Sequence, residues 1–273
     1  MPKTISILGC GWLGEPLAEH LLALGYQVKG STTTSGKLAG LVGKGIQPYL
    51  VNLDPEARSA LPHDFFGCDV LFLNIPPGRR DPNVREHFLA RVGVTCSAIR
   101  AAGPSCVILA SSTSVYPDLN RVVHEDDAGN PATASGQALL EAERMLQHEV
   151  GFRTTLLRFA GLYGYDRRPG RFLAGKEDVP DGDAPVNLVH RDDCIRIVAE
   201  VIHRGRYGDV FNVCSDQHPP RRVFYPWAAR QLGLQPPTFQ IGPAESYKIV
   251  SNTKVKEVLG YTFSHPDPMQ PAP

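Results

Sequence analysis

Hydrophobic positions in this chain come in short bursts separated by glycine, proline and charge. The first burst, Thr4 to Leu8, reads T-I-S-I-L and ends in glycines. A β-branched run of that length predicts a buried strand. Leu17, Leu21, Leu22 and Leu24 then recur at helical spacing, with Gly25 as the stop. Tyr26 to Gly30 predicts a second strand, Lys37 to Val42 a helix, and I-Q-P-Y-L-V a third strand. C-D-V-L-F-L-N-I is a fourth strand, closed by Pro76-Pro77-Gly78. Val84 to Ala101 is a long helix and S-C-V-I-L-A-S-S a fifth strand. A helix opened by Pro131 to Glu143 runs on to Val150, and R-T-T-L-L-R-F-A is a sixth strand. The alternation implies crossover connections and an α/β fold, a Rossmann-type doubly wound parallel sheet.

After the sixth strand the texture changes. Tyr163 to Pro185 is rich in glycine, proline and charge, which predicts loops over a site rather than core. V-N-L-V-H returns as a short strand, Arg191 to His203 as a helix, and D-V-F-N-V-C as the last strand. Beyond Ser215 two short helices are expected, Val223 to Gly233 and Asn252 to Leu259, then a frayed tail from Ser264. This divides the chain into a dinucleotide-type domain, residues 1–162 with 186–214, and a small C-terminal substrate lobe, residues 163–185 with 215–273.

Composition narrows the partners. The chain has 273 residues, and 28 Lys and Arg balance 28 Asp and Glu. That balance gives no sign of nucleic acid or membrane as a partner and leaves a small-molecule substrate as the expectation. None of the six cysteines sits at Cys-x-x-Cys spacing, and no Cys/His cluster has zinc spacing, so no metal is expected. Free cysteines in apolar runs suit a reducing compartment. With no cleavable leader pattern and no apolar run of membrane length, a cytoplasmic protein is expected.

The strongest local signal is Gly9-Cys10-Gly11-Trp12-Leu13-Gly14, a G-x-G-x-x-G run between the first strand and the first helix. Gly9 permits a tight turn, Gly11 lets the backbone approach a pyrophosphate, and Gly14 brings helix and strand together. The backbone of Trp12 and Leu13 completes the loop at the helix N-terminus, where free N–H groups attract phosphate. Asn74, Ile75 and Pro76, which close the fourth strand, are counted with this cofactor site. NAD sites of this kind place an acidic residue after the second strand. Here no acidic residue occurs between Glu19 and Asp54, and the strand runs into Ser31, Thr32, Thr33 and Thr34 with Lys37 beyond. Hydroxyls and a lysine suit a 2′-phosphate, so NADP is expected, with NAD possible.

Taken together the motifs resemble the extended short-chain dehydrogenase/reductase superfamily, the NAD-dependent epimerase/dehydratase family, in an atypical branch. The elements are the glycine loop, Leu53-Asp54, Ser111 to Tyr116, Leu157 to Gly164, Asn187 to Asp193, and Phe211-Asn212-Val213. Active members of that family carry Tyr-x-x-x-Lys in the helix after the fifth strand. The resemblance places Ser135 at the tyrosine position and Leu139 at the lysine position, and no Tyr-x-x-x-Lys occurs anywhere in the chain. Ser112 matches the family hydroxyl that orients a substrate oxygen. Tyr163 and His190 are the candidate substitutes for the missing acid; His190 reads equally as a structural histidine beside a helix-capping Asp192. Arg158 and Arg171 are each expected to meet the cofactor phosphates or an anionic substrate group, or to form an internal ion pair; Arg158 is counted with the cofactor site. The resemblance also implies a homodimer through the helices at Val84–Ala101 and Ser135–Val150. Two functional classes follow: an oxidoreductase or epimerase-like enzyme with a non-standard acid, or a catalytically inactive NADP(H)-binding sensor.

Overall fold

The computed structural model describes residues 2–55, 61–78 and 81–270. The elements, in order, are β1 (Thr4–Leu8), α1 (Gly14–Ala23), β2 (Gln27–Thr32), α2 (Leu38–Gly43), β3 (Gln47–Leu50), α3 (His63–Phe66) and β4 (Val70–Leu73). Then come α4 (Val84–Ala102), β5 (Cys106–Ser112), β6 (Arg121–Val123), α5 (Ala134–His148), β7 (Arg153–Phe159), β8 (Gly161–Tyr163) and α6 (Gly170–Leu173). The last are β9 (Leu188–His190), α7 (Arg191–Arg204), β10 (Val210–Val213), α8 (Arg221–Arg230), β11 (Lys248–Val250) and α9 (Thr253–Leu259).

Seven strands form one sheet in the order β10-β7-β5-β4-β1-β2-β3, and every pairing is parallel. A sheet covered on both faces needs apolar side chains on both, which is why β4 reads V-L-F-L and is buried throughout. At the edge, β3 tolerates Pro48 because its missing N–H faces no further strand. The chain runs outward from β1 through β2 to β3 and returns to place β4 on the other side of β1. That reversal opens a crevice at the carboxyl ends of β1 and β4, where doubly wound sheets take ligands. The glycine loop lies at its rim.

Three features depart from the sequence reading. β2 extends to Thr32, two residues past the expected end at Gly30. It does so because Ser31 and Thr32 pair with Tyr49 and Leu50, and the Ser31 carbonyl accepts the Cys10 N–H. The V-N-L-V-H run does not join the main sheet. It supplies β9, which pairs with β8 and sets Tyr163 opposite His190. The segment from Ser264 is anchored as far as Gln270, not frayed. Its anchor is Asp193, a wholly buried carboxylate in the first turn of α7. Asp193 accepts from the Tyr261 hydroxyl at 2.7 Å, from the N–H of Ser264 at 2.8 Å, and from the N–H of His265 at 3.0 Å. Losing these bonds would strand a buried charge, so the segment is held down. A second, smaller apolar cluster, Val186, Leu188, Phe224 and Ala228, packs with Tyr163, Tyr225, Trp227 and Met269 apart from the main core.

Candidate cofactor and active site

The glycine loop is shaped by backbone contacts that admit no side chain at two of its three glycines. Gly9 has φ +108°, and a Cβ there would meet the Asn74 carbonyl oxygen at 2.5 Å. A Cβ on Gly14 would lie 2.2 Å from the Gly9 carbonyl oxygen. Gly11 differs: a Cβ there would meet nothing within 4 Å. Its bare backbone therefore borders open space, as a phosphate-binding loop requires. The first turn of α1 has no intrahelical acceptors for its N–H groups, so Trp12, Leu13 and Gly14 present a positive rim to that space. Asn74 holds the loop from the next strand, donating through Nδ2 to the Gly9 carbonyl at 2.9 Å. Ile75, half-buried against the main core, and Pro76, exposed, follow it in the chain. The residues present thus fit a dinucleotide pyrophosphate.

Beyond β2 the hydroxyls divide. Ser31 and Thr32 are buried and used internally: Ser31 Oγ accepts the Gly9 N–H at 2.9 Å, and Thr32 Oγ1 accepts the Thr34 N–H at 3.1 Å. Thr33, Thr34, Ser35, Gly36 and Lys37 are exposed. Of the positions the sequence suggested, Thr33, Thr34 and Lys37 are open to a ribose phosphate, while Ser31 and Thr32 are buried. Lys29, despite its charge, points away, donating to the carbonyls of Asp64 and Gly67 and pairing with the Asp64 carboxylate at 3.1 Å.

At the start of α5, Thr133 Oγ1 caps the helix by accepting the Gly136 N–H at 3.1 Å. A Cβ on Gly136 would stand 2.5 Å from the Ser114 carbonyl, so this turn presses directly on the segment after β5. Ser135 lies beside Thr133, their hydroxyls 3.3 Å apart, and Leu139 is buried in the main core. The two positions to which the resemblance assigns a phenol and an ammonium hold a hydroxyl and a packed aliphatic chain. Ser112 Oγ accepts the Ser114 N–H at 3.1 Å, which leaves its own proton for another oxygen.

Tyr163 and His190 come together, their ring centroids 5.1 Å apart and nearly perpendicular. Burial, reinforced by the negative charge of Asp193, pushes the Tyr163 phenol well above its ordinary value. His190 is buried, and its Nδ1 accepts the Asp192 N–H at 3.3 Å as the cap of α7. Burial and the neighbouring His265 hold its imidazole below its ordinary value against the pull of Asp192 and Asp193. The capping bond is the geometry that the structural reading of His190 expects. His190, Asp192 and His265 bring donor atoms within 4.8 Å of one another. The two imidazoles, however, stack face to face at 3.8 Å and 26°, so their in-plane lone pairs do not converge on a common point.

Arg158 does not reach the cofactor crevice. Its guanidinium is 5% exposed and pairs with Glu143, itself 1% exposed, at 2.8 Å. Its Nη1 also donates to the Tyr116 hydroxyl at 2.8 Å and the Glu125 carbonyl at 2.6 Å. Tyr116 in turn donates to Asn212, and Ser111 to Glu143. Arg158 is the hub of a buried network joining β5, α5, β7 and β10, which explains why an arginine ends a core strand. Arg171 is exposed on α6. A group the sequence reading missed lies beside the glycine loop. The Arg191 and Arg167 guanidiniums both lie over the Trp12 ring system, at 5.1 and 4.2 Å, and Trp12 Nε1 donates to Asp166 at 2.5 Å. Trp12 and Arg191 each stand in a motif read from the sequence, but nothing in the string brings the two together.

A parallel sheet in this order, with a glycine-rich phosphate cradle at its switch point, defines a dinucleotide-binding Rossmann protein. The model of the NAD dependent epimerase/dehydratase family matches residues 5–214, and the chain belongs to that family. It is 38% identical over 270 residues to the protein YeeZ of Escherichia coli (strain K12), with 98% of each chain covered. Among solved structures it is similar to a functionally unknown conserved protein from Silicibacter pomeroyi (TM-score 0.74, 24% identity, 97% of this chain and 95% of that one). MoeE5, solved with UDP-glucose and NAD, superposes with a TM-score of 0.77 at 22% identity over 95% of this chain and 93% of that one. At these identities the structural likenesses establish the fold.

Proposed function

We propose that the protein binds a nicotinamide dinucleotide across the glycine loop and acts as an atypical oxidoreductase or epimerase-like enzyme on a small polar substrate. The observation that carries this is the open backbone face of Gly11 between two glycines whose space is filled by the chain itself. Bound there, the nicotinamide supplies the hydride donor or acceptor. The chain supplies the rest. The N–H groups of the loop hold phosphate, and Asn74 holds the loop. Ser112 offers a neutral hydroxyl to a substrate oxygen. The substrate lies between the nucleotide domain and the lobe formed by residues 163–185 and 215–270. We favour NADP because the exposed Thr33 to Lys37 segment offers hydroxyls, N–H groups and an ammonium with no carboxylate to repel a 2′-phosphate. The six free cysteines suit a reducing cytoplasm, and pairing of two copies through α4 and α5 belongs to the same proposal.

A second reading is a dinucleotide sensor without turnover. It is favoured by one observation: Leu139 is packed into the core where an ammonium would stand, while Tyr163 and His190 are held in structural contacts. Titration with NADPH and then NADH, followed by calorimetry, tests the shared premise, and binding of neither would end both readings. Turnover of a carbonyl compound or nucleotide sugar by the loaded protein, lost in Ser112→Ala, would decide for the enzyme. Binding without turnover across such a panel would decide for the sensor.

A further inference from the structure

The arginines on Trp12 belong to a longer column. Arg167 lies over one ring of Trp12 at 4.2 Å and Arg191 over the indole at 5.1 Å. Arg191 also lies over Tyr165 at 3.7 Å. Tyr165 is 5.7 Å from His190 at 34°, and His190 stacks on His265 at 3.8 Å. Planar groups from four places in the chain thus meet: the glycine loop, the turn after β8, the first turn of α7 and the C-terminal segment. Polar contacts fix the register. Arg191 Nη1 donates to the Trp12 carbonyl at 3.3 Å, and the Tyr165 hydroxyl donates to Asp192 at 3.1 Å. Tyr165 adopts a left-handed backbone, φ 55°, which a tyrosine occupies only when its surroundings compel it. Arg191 Nε is screened from solvent with no hydrogen-bond partner. Among the described residues the guanidinium is therefore held there by stacking and by one carbonyl, without an ion pair.

We infer that Arg191 is a positioning residue for the dinucleotide, acting through Trp12. The proposal rests on the cofactor reading above. Trp12 sits at the point of the glycine loop where N–H groups must face the pyrophosphate. By gripping both its carbonyl and its indole face, Arg191 keeps that stretch of backbone set before the ligand arrives. A loop already set loses less freedom on binding and binds more tightly. The same guanidinium leans on Tyr165, so the setting of the cofactor loop is tied to the turn that opens the lobe.

The test uses the full chain with Trp227→Phe, which leaves Trp12 as the one indole of the two. Arg191→Ala should weaken binding of whichever dinucleotide the parent prefers by about tenfold, as loss of one preorganising contact does. It should also make Trp12 emission more accessible to acrylamide, with the melting temperature within about 3 °C of the parent. Arg191→Lys keeps the charge but not the planar stack and should recover only part of the affinity. Arg204→Ala, at the far end of α7, should change neither reading. Unchanged affinity in Arg191→Ala, in a parent that binds, overturns the inference while sparing the cofactor reading. A parent that binds neither dinucleotide overturns the cofactor reading. Trp12 quenching then still judges the clamp, and equal quenching in parent and variant overturns it. If Arg191→Ala does not fold, Arg167→Ala removes the exposed outer stack instead and is judged by the same affinity and quenching.

Discussion

Gly11 offers a way to separate the ligand's space from the protein's own. A methyl group on Gly9 or Gly14 collides with backbone carbonyls at 2.5 and 2.2 Å, so substitution there damages the fold and says nothing about binding. At Gly11 the added carbon meets no protein atom within 4 Å, and the residue does not adopt the left-handed backbone that favours glycine. Gly11→Ala should therefore be neutral or slightly stabilising, by about 0.4–1 kcal/mol, because the unfolded chain loses freedom. The bound pyrophosphate would meet the new carbon at van der Waals range or closer. Overpacking a tight contact costs about 1–3 kcal/mol, which corresponds to about 5- to 150-fold weaker dinucleotide binding. Gly11→Val should lie at the upper end. Calorimetric titration with NADPH and NADH, read beside a urea unfolding curve, gives both quantities on one protein. Full-strength binding by a stable Gly11→Val protein would refute the placement of the phosphates. A large loss of stability would refute the claim that the space beside Gly11 is empty of protein.

Other outcomes follow from the same geometry. Glu143→Ala leaves the Arg158 guanidinium buried without its partner and should cost about 3–5 kcal/mol in urea unfolding; a loss under about 1 kcal/mol would contradict the network. Because folded His190 is held below its ordinary value of 6.5, the unfolded chain takes up that proton first as pH falls. Its contribution to stability is therefore full above pH 6.5 and lost progressively below it, toward the folded value. His190→Asn, which keeps a capping acceptor, should flatten that part of the stability–pH curve, and an unaltered slope would count against the buried neutral cap. Lys37→Ala should reduce NADPH affinity by about 3- to 10-fold relative to NADH, as a surface charge–phosphate contact does. An unchanged ratio would move the 2′-phosphate elsewhere. Asp193→Ala should free the C-terminal segment, seen as limited proteolysis after Tyr261 in the variant alone.

Much of the fold was legible because it rests on local pattern. The near-continuous apolar runs of β4 and β5 and the helical spacing of the α1 leucines state their own periods, and strict alternation of strand and helix leaves few topologies. The glycine loop was legible for a related reason: Gly9 and Gly14 answer steric demands from close neighbours in space, and Gly14 meets Gly9 five residues away. The absence of Tyr-x-x-x-Lys is likewise a property of the string. What the string could not show was how side chains far apart in sequence share space. Arg158 reads as a phosphate ligand or an ion-pair partner until Glu143, Tyr116 and Glu125 are seen to use its donors. His190 reads as an acid or as a structural histidine, and only the fold shows its Nδ1 capping α7. The tail reads as frayed until Asp193 is seen beneath it. The column of Trp12, Arg167, Arg191, Tyr165, His190 and His265 draws on both ends of the chain and has no period at all. Local sequence decides which elements form, because backbone sterics and burial patterns act over a few residues. Tertiary structure decides what a charged or aromatic side chain does, because its energy depends on which distant groups replace the water around it.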